Sequence, residues 1–180
     1  MKYIVYFCST LEQTGPTSQL FNIVSGLNYS QFLPCIITLS PEKENSLKAK
    51  FEEAGFKVIC IDPSGVLSLA KLKLLIEAYL IENHVDVVHT QGIRADVLMS
   101  RIVKSSDVTW VATLRNIPYL DYPAQYGLIK GYMMAVLHIM ALRSCSRLVV
   151  VSQSVQASLQ KFFSHPVNVT PMVLTRIFIA

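Results

Sequence analysis

Short runs rich in valine and isoleucine alternate with longer stretches of helical period along the chain, and no repeat, linker or low-complexity segment interrupts them. A strand followed each time by an amphipathic helix must cross over before the next strand pairs, so the alternation predicts βαβ units around a parallel sheet. Strands are expected over 3–7, 35–39, 57–61, 85–89, 109–114 and 147–151. The first helix follows Pro16 and places Leu20, Ile23, Val24 and Leu27 on one face. A charged helix that Gly55 stops comes next, then helices over about 66–83, 93–103, 125–143 and 154–163. Runs such as Val149-Val150-Val151, apolar on both faces, belong inside a sheet covered on both sides. The expected fold class is α/β: a doubly wound, mostly parallel sheet of about six strands.

Composition narrows the classes that remain. Of the 180 residues, 52% are hydrophobic and 16% charged, too apolar a balance for a disordered chain and enough for one domain with one core. The best apolar run, 132–142, is short for a membrane span and carries His138 inside it. The start, Met1-Lys2-Tyr3, lacks the length and cleavage pattern of a signal peptide, so the chain reads as cytoplasmic. Cys8, Cys35, Cys60 and Cys145 fit no zinc spacing and no redox pair, which predicts reduced, mostly buried thiols and no metal. The net charge of +4 is spread without a block of like charges, a weak hint of an anionic partner and no support for nucleic-acid binding.

In sheets of this kind ligands sit beyond the carboxyl ends of the strands, where helix N-termini point outward. The first loop, 8–16, lacks both the GxGxxG and the GxxxxGK[ST] patterns, which disfavours a dehydrogenase and a P-loop ATPase. It reads either as a flexible polar loop whose Thr14, Gly15 and Pro16 approach a phosphate or sugar, or as an ordinary connector. At the fourth strand end, His89, Thr90, Gln91, Gly92, Arg94 and Asp96 crowd polar groups beside a glycine; Arg94 and Asp96 also read as a surface ion pair. The fifth strand end carries Arg115 and Asn116, groups that recognise hydroxyls and phosphates, followed by Tyr119 and Tyr122 between prolines. A proline-stiffened crossover is the alternative reading there. Ser152, Gln153 and Ser154 close the sixth strand and serve as a helix cap.

Four segments in order, TGPTSQLFNIVSGL, DVVHTQGIRADVLMS, VATLRNIPYLDYP and RLVVVSQSVQASL, resemble the N-terminal domain of retaining glycosyltransferases of the GT-B fold, family 4. The resemblance covers roughly 1–170 and implies a Rossmann-like half of a GT-B architecture. It further implies bacterial surface-polysaccharide synthesis, in which a sugar passes from a nucleotide-sugar donor to a lipid-linked or saccharide acceptor. The N-terminal domain then binds mainly the acceptor, and a C-terminal domain grips the donor. The site residues it implies are Thr14, Gly15, Pro16, His89, Gly92, Arg94, Arg115, Asn116 and Tyr119, with no metal and no further cofactor. Relatives often carry two adjacent glycines where this chain has Thr14 and Gly15, and many place a histidine where Arg115 or Asn116 stands, which leaves the catalytic residue unassigned.

The segment 171–180 does not follow the family pattern; it is expected to be an apolar tail of a truncated product, inactive alone. The helix over 125–143, apolar on most faces, reads either as a core helix or as a peripheral contact with the inner face of the cell membrane through Lys130, Arg143 and Arg147. Two other functional classes stay open: a non-catalytic α/β binding or partner protein using the same cleft, and, more weakly, a nucleotide-sugar epimerase.

Overall fold

The computed structural model describes residues 1–62, 64–103 and 107–170; the apolar tail 171–180 lies outside the described residues. Its elements alternate as expected: β1 (Lys2–Cys8), α1 (Gly15–Ser25), β2 (Phe32–Thr38), α2 (Lys48–Glu53), β3 (Lys57–Cys60), α3 (Leu69–Glu82), β4 (Val87–Gln91) and α4 (Ile93–Ile102). Then follow β5 (Thr109–Leu114), α5 (Pro118–Tyr126), α6 (Leu128–Leu142), β6 (Arg147–Val150), α7 (Gln153–Leu159) and β7 (Val167–Val169). Among the described residues seven strands form one sheet in the order β3-β2-β1-β4-β5-β6-β7, and every pairing in it is parallel. The seventh strand escapes the sequence reading because three residues, VNV, are too few for a periodic signal.

Alternate residues of β1 serve the two faces of the sheet. Ile4, Tyr6 and Cys8 pack with Leu20, Ile23 and Val24 of α1 and with Phe51 of α2, whereas Val5 and Phe7 join Leu72 and Ile76 of α3 and Leu98 and Met99 of α4. Trp110 is fully buried in β5 and donates its indole N–H to Thr90 Oγ1 at 2.7 Å, so the largest core side chain brings no unpaired polar group with it. Cys8, Cys35 and Cys145 are buried free thiols, and Cys60 is half-buried.

Three local differences from the sequence reading matter for the site. β4 runs 87–91 rather than 85–89: Val85 N–H turns back to Leu80 O at the end of α3, and pairing continues past His89, with Thr90 and Gln91 beside Ala112 and Thr113 of β5. The stretch read as a stiffened crossover is the helix α5, with Pro118 in its first turn, where a missing N–H costs nothing, and Pro123 inside it. Gly127, at φ 82, then ends α5 and opens α6. Gly131 of α6 lies against the backbone of Tyr122 and Pro123, a gap that no Cβ could enter, so its small size sets how closely α5 and α6 approach.

One side of α6 faces α4 and α5 through Ala135, His138 and Leu142, and its other side is uncovered among the described residues. Ile129, Met133, Val136, Leu137 and Met140 are all exposed, Ile129 by 82%. No helix among the described residues is long and apolar enough to cross a membrane.

Candidate functional site

Strand order reverses between β1 and β4, and the helices that follow these two strands start on the same side of the gap. A cleft of about 350 Å³ opens there, walled by the β1–α1 loop, the β4–α4 turn, the end of β5 and α5. The β1–α1 loop is laced to the segment after β2. Leu47 N–H donates to Leu11 O at 2.8 Å, Gln13 N–H to Asn45 O at 3.0 Å, and Leu11 N–H to Glu42 Oε2 at 2.9 Å. Lys43 pairs with Glu12 at 2.8 Å. Thr14 caps α1 by accepting from Thr17 N–H, and Thr17 donates its hydroxyl to Glu12 O at 2.6 Å. The loop read as flexible is thus a held turn that presents the start of α1 to the cleft.

Five of the nine expected site residues line this cleft: Thr14, Pro16, Gly92, Arg115 and Asn116. Gly15 sits between two of them, with open space where a side chain would be. Gly92 is the N-cap of α4 at φ 97, a conformation that favours glycine, and among the described residues no side chain caps the helix. Arg115 joins three elements: its Nε donates to Gln19 Oε1 of α1 at 3.1 Å and its Nη2 to Gln91 Oε1 of β4 at 2.9 Å.

The other three turn elsewhere. Because β4 begins two residues later than expected, His89 lies within the strand and is 5% exposed, its Nε2 at 2.6 Å from Thr113 Oγ1 beneath the cleft. Burial, reinforced by the charge of Arg115, pulls the His89 pKa down to about 4 and keeps the ring neutral. Arg94 donates to Ser40 Oγ and ties α4 to the end of β2. Tyr119 faces α7, donating to Ser158 O at 3.3 Å beside the ring of Phe162.

The structure adds a group that the sequence reading missed. Asp96 of α4, Tyr122 of α5 and His138 of α6 meet at the cleft wall, which Tyr122 and His138 line, with His138 Nε2 at 2.7 Å from Asp96 Oδ2 and its Nδ1 at 2.8 Å from Tyr122 Oη. A proton on Nε2 donates to the carboxylate and leaves Nδ1 to accept from the tyrosine hydroxyl. Asp96 and His138 are fully buried, and Asp96 Oδ1 has no partner among the described residues. Burial pushes the Tyr122 pKa up to about 12, so the phenol stays protonated at neutral pH. Asp96 therefore pairs with a buried histidine and not with Arg94. The available signal was His138 itself, a titratable side chain inside an apolar helix.

No family model matches the chain, and no curated protein matches it significantly. Solved structures do. Anabaena HepE, in complex with UDP and glucose, superposes with TM-score 0.72 at 13% identity over 95% of this chain and 44% of its own. A sucrose-phosphate synthase of Thermosynechococcus elongatus gives TM-score 0.70 at 12% identity, over 95% of this chain and 47% of its own. A protein assigned as UDP-N-acetylglucosamine 2-epimerase in Listeria monocytogenes gives 0.67 at 11% identity, over 94% and 44%. The chain spans less than half the length of each. At such identities the likeness carries the fold, and the fold is the Rossmann-like half of a GT-B architecture.

Proposed function

We propose that this chain is the acceptor-side half of a glycosyltransferase, one that moves a sugar from a nucleotide-sugar donor to a saccharide or lipid-linked acceptor in surface-polysaccharide synthesis. The observation that carries the reading is the cleft at the strand-order reversal, where the starts of α1 and α4, Arg115 and Asn116 face one space in a fold shared with a protein seen with UDP and glucose. Thr14, Gly92 and Asn116 offer backbone and amide groups to hydroxyls, and Arg115 offers charge to a phosphate. In this reading a second Rossmann-like unit grips the donor from across the cleft, and His89, Arg94 and Tyr119 hold the walls without touching ligand.

Transfer requires charge on the leaving diphosphate to be stabilised as it develops. One preorganised donor group can be worth about 3 kcal/mol. The 180-residue chain by itself therefore transfers no sugar from a panel of radiolabelled nucleotide sugars incubated with membrane extract. Reproducible transfer that is lost in Arg115→Ala would mean that the chain holds a complete site and would overturn the half-enzyme reading.

The exposed stripe of α6 suits a membrane surface. Over 118–147 its apolar residues are accompanied by Lys130, Arg143 and Arg147, all exposed, against the single acid Asp121. Docking there brings a lipid-linked acceptor to the inner face of the membrane. Vesicle flotation tests it: binding to anionic vesicles that weakens with salt is expected, and no binding to anionic or neutral vesicles ends the docking reading.

A further inference from the structure

A guanidinium partly removed from water favours an anion; Arg115 has no ion pair within 4.0 Å among the described residues, and only the more distant Asp96 carboxylate supports its charge. Burial pulls its pKa below the ordinary arginine value. Its two hydrogen bonds go to the side-chain oxygens of Gln19 and Gln91, neutral amides that orient the charge without cancelling it. Gln91 supplies the second observation. It is 8% exposed and lines the cleft; Arg115 holds its Oε1, and its Nε2 has no partner among the described residues. Because the oxygen is fixed on the guanidinium, the unpaired group is the NH₂, buried in the wall of the cleft.

The third component is backbone. α4 starts at the same place with an uncapped N-terminus, and open space stands where a Gly92 Cβ would be, so a ligand can approach its first N–H groups. Asp96, in the first turn of α4, opposes an anion by its own charge, but it does not line the cleft and one of its oxygens is engaged by His138. His89 beneath the site is neutral and adds no charge of either sign.

We propose that Arg115, Gln91 and the first turn of α4 form a phosphoryl-binding site at the strand-order reversal. The planar fork of an arginine, an amide NH₂ and converging helix N–H groups match the several acceptor oxygens of a phosphate, and the charge on the guanidinium favours a dianion over a neutral hydroxyl. Two sources carry this chemistry: a phosphate on the acceptor saccharide, or the diphosphate of the donor. The choice between them rests on the glycosyltransferase reading; the site itself does not.

Inorganic phosphate, titrated at constant ionic strength against chloride and followed by amide NMR, is the direct probe. Saturable shifts are expected at the Gln91 NH₂, at the amides of 92–94 and at Arg115 Nε. Arg115→Gln weakens binding on the order of tenfold or more. Gln91→Glu keeps the shape of the side chain and gives the guanidinium its own carboxylate, so it folds as the parent does and loses phosphate binding. No saturable shift in the parent protein, or undiminished binding in Gln91→Glu, overturns the proposal. Parallel titrations with a sugar phosphate and with UDP assign the source: whichever binds more tightly than phosphate itself is the ligand whose phosphoryl group sits here. Phosphate binding without any binding of nucleotide sugar or saccharide keeps this site and removes the glycosyltransferase reading. Binding of a neutral saccharide in the cleft without phosphate binding does the reverse.

Discussion

The sheet has a hollow at each end, and the larger one is the less promising. At the amino ends of the strands, Lys2, His84, Asp86, Asp107 and Thr109 border an open space of about 520 Å³, against about 350 Å³ for the cleft at the carboxyl ends. The polar groups of the larger hollow are exposed to water or already used, as where Asp86 Oδ2 accepts from Tyr3 N–H at 2.7 Å. In the smaller one Gln91 and Thr113 are buried and Arg115 and Asn116 half-buried, and Gln91 Nε2 lacks a partner among the described residues. Chain direction explains the contrast. Parallel strands send helix N-termini to the carboxyl end and helix C-termini, such as the end of α3 at Glu82, to the other. Incomplete polar groups out of water, more than volume, distinguish a site from a dent.

That contrast can be broken by mutation. The largest effect belongs to the carboxyl end: His138→Ala leaves Asp96 buried without its partner and lowers stability by about 3–5 kcal/mol in urea denaturation. Asp86→Asn, in the amino-end hollow, costs under about 1 kcal/mol, because water screens the group it alters. Comparable losses in the two variants would remove the distinction.

His89 sharpens it through pH. Its folded pKa is near 4 against 6.5 for the free side chain, so below pH 6.5 the unfolded chain binds a proton that the folded one refuses. Stability from this residue is complete above that range and falls as pH drops towards 4, by up to about 3 kcal/mol. His89→Gln flattens that part of the stability curve; an unchanged slope would place the titration elsewhere. The smallest effect is expected at His84, exposed at the amino end with φ 48. His84→Gly relieves the left-handed backbone and changes stability by roughly 0.5 kcal/mol in the favourable direction, with ligand binding untouched.

Alternating apolar runs made the order of strands and helices legible, since each buried strand needs branched residues on both faces and each helix a stripe. α5 was not legible, because Pro118 and Pro123 read locally as breaks, whereas Pro118 falls at a helix start and Gly131 of α6 lets the backbone at Pro123 sit close. Arg115, Asn116 and Gly92 could be placed at the cleft from strand order alone. His89 could not: a two-residue shift in β4 moves it from a strand end to the strand interior, and the pairing of Thr90 and Gln91 with β1 and β5, a long-range fact, decides that register. The Asp96–Tyr122–His138 group depends on three helices meeting, a long-range fact for which local spacing carries no signal.

The most direct measurement is a map of amide shifts as a panel of saccharides, sugar phosphates and UDP-glucose is added to the chain. Shifts confined to 9–17, 91–94 and 113–116, with 84–87 and 107–109 unmoved, are the predicted result. Shifts centred on Lys2, His84 and Thr109, with the cleft silent, would contradict it and make the larger hollow the working end of the molecule.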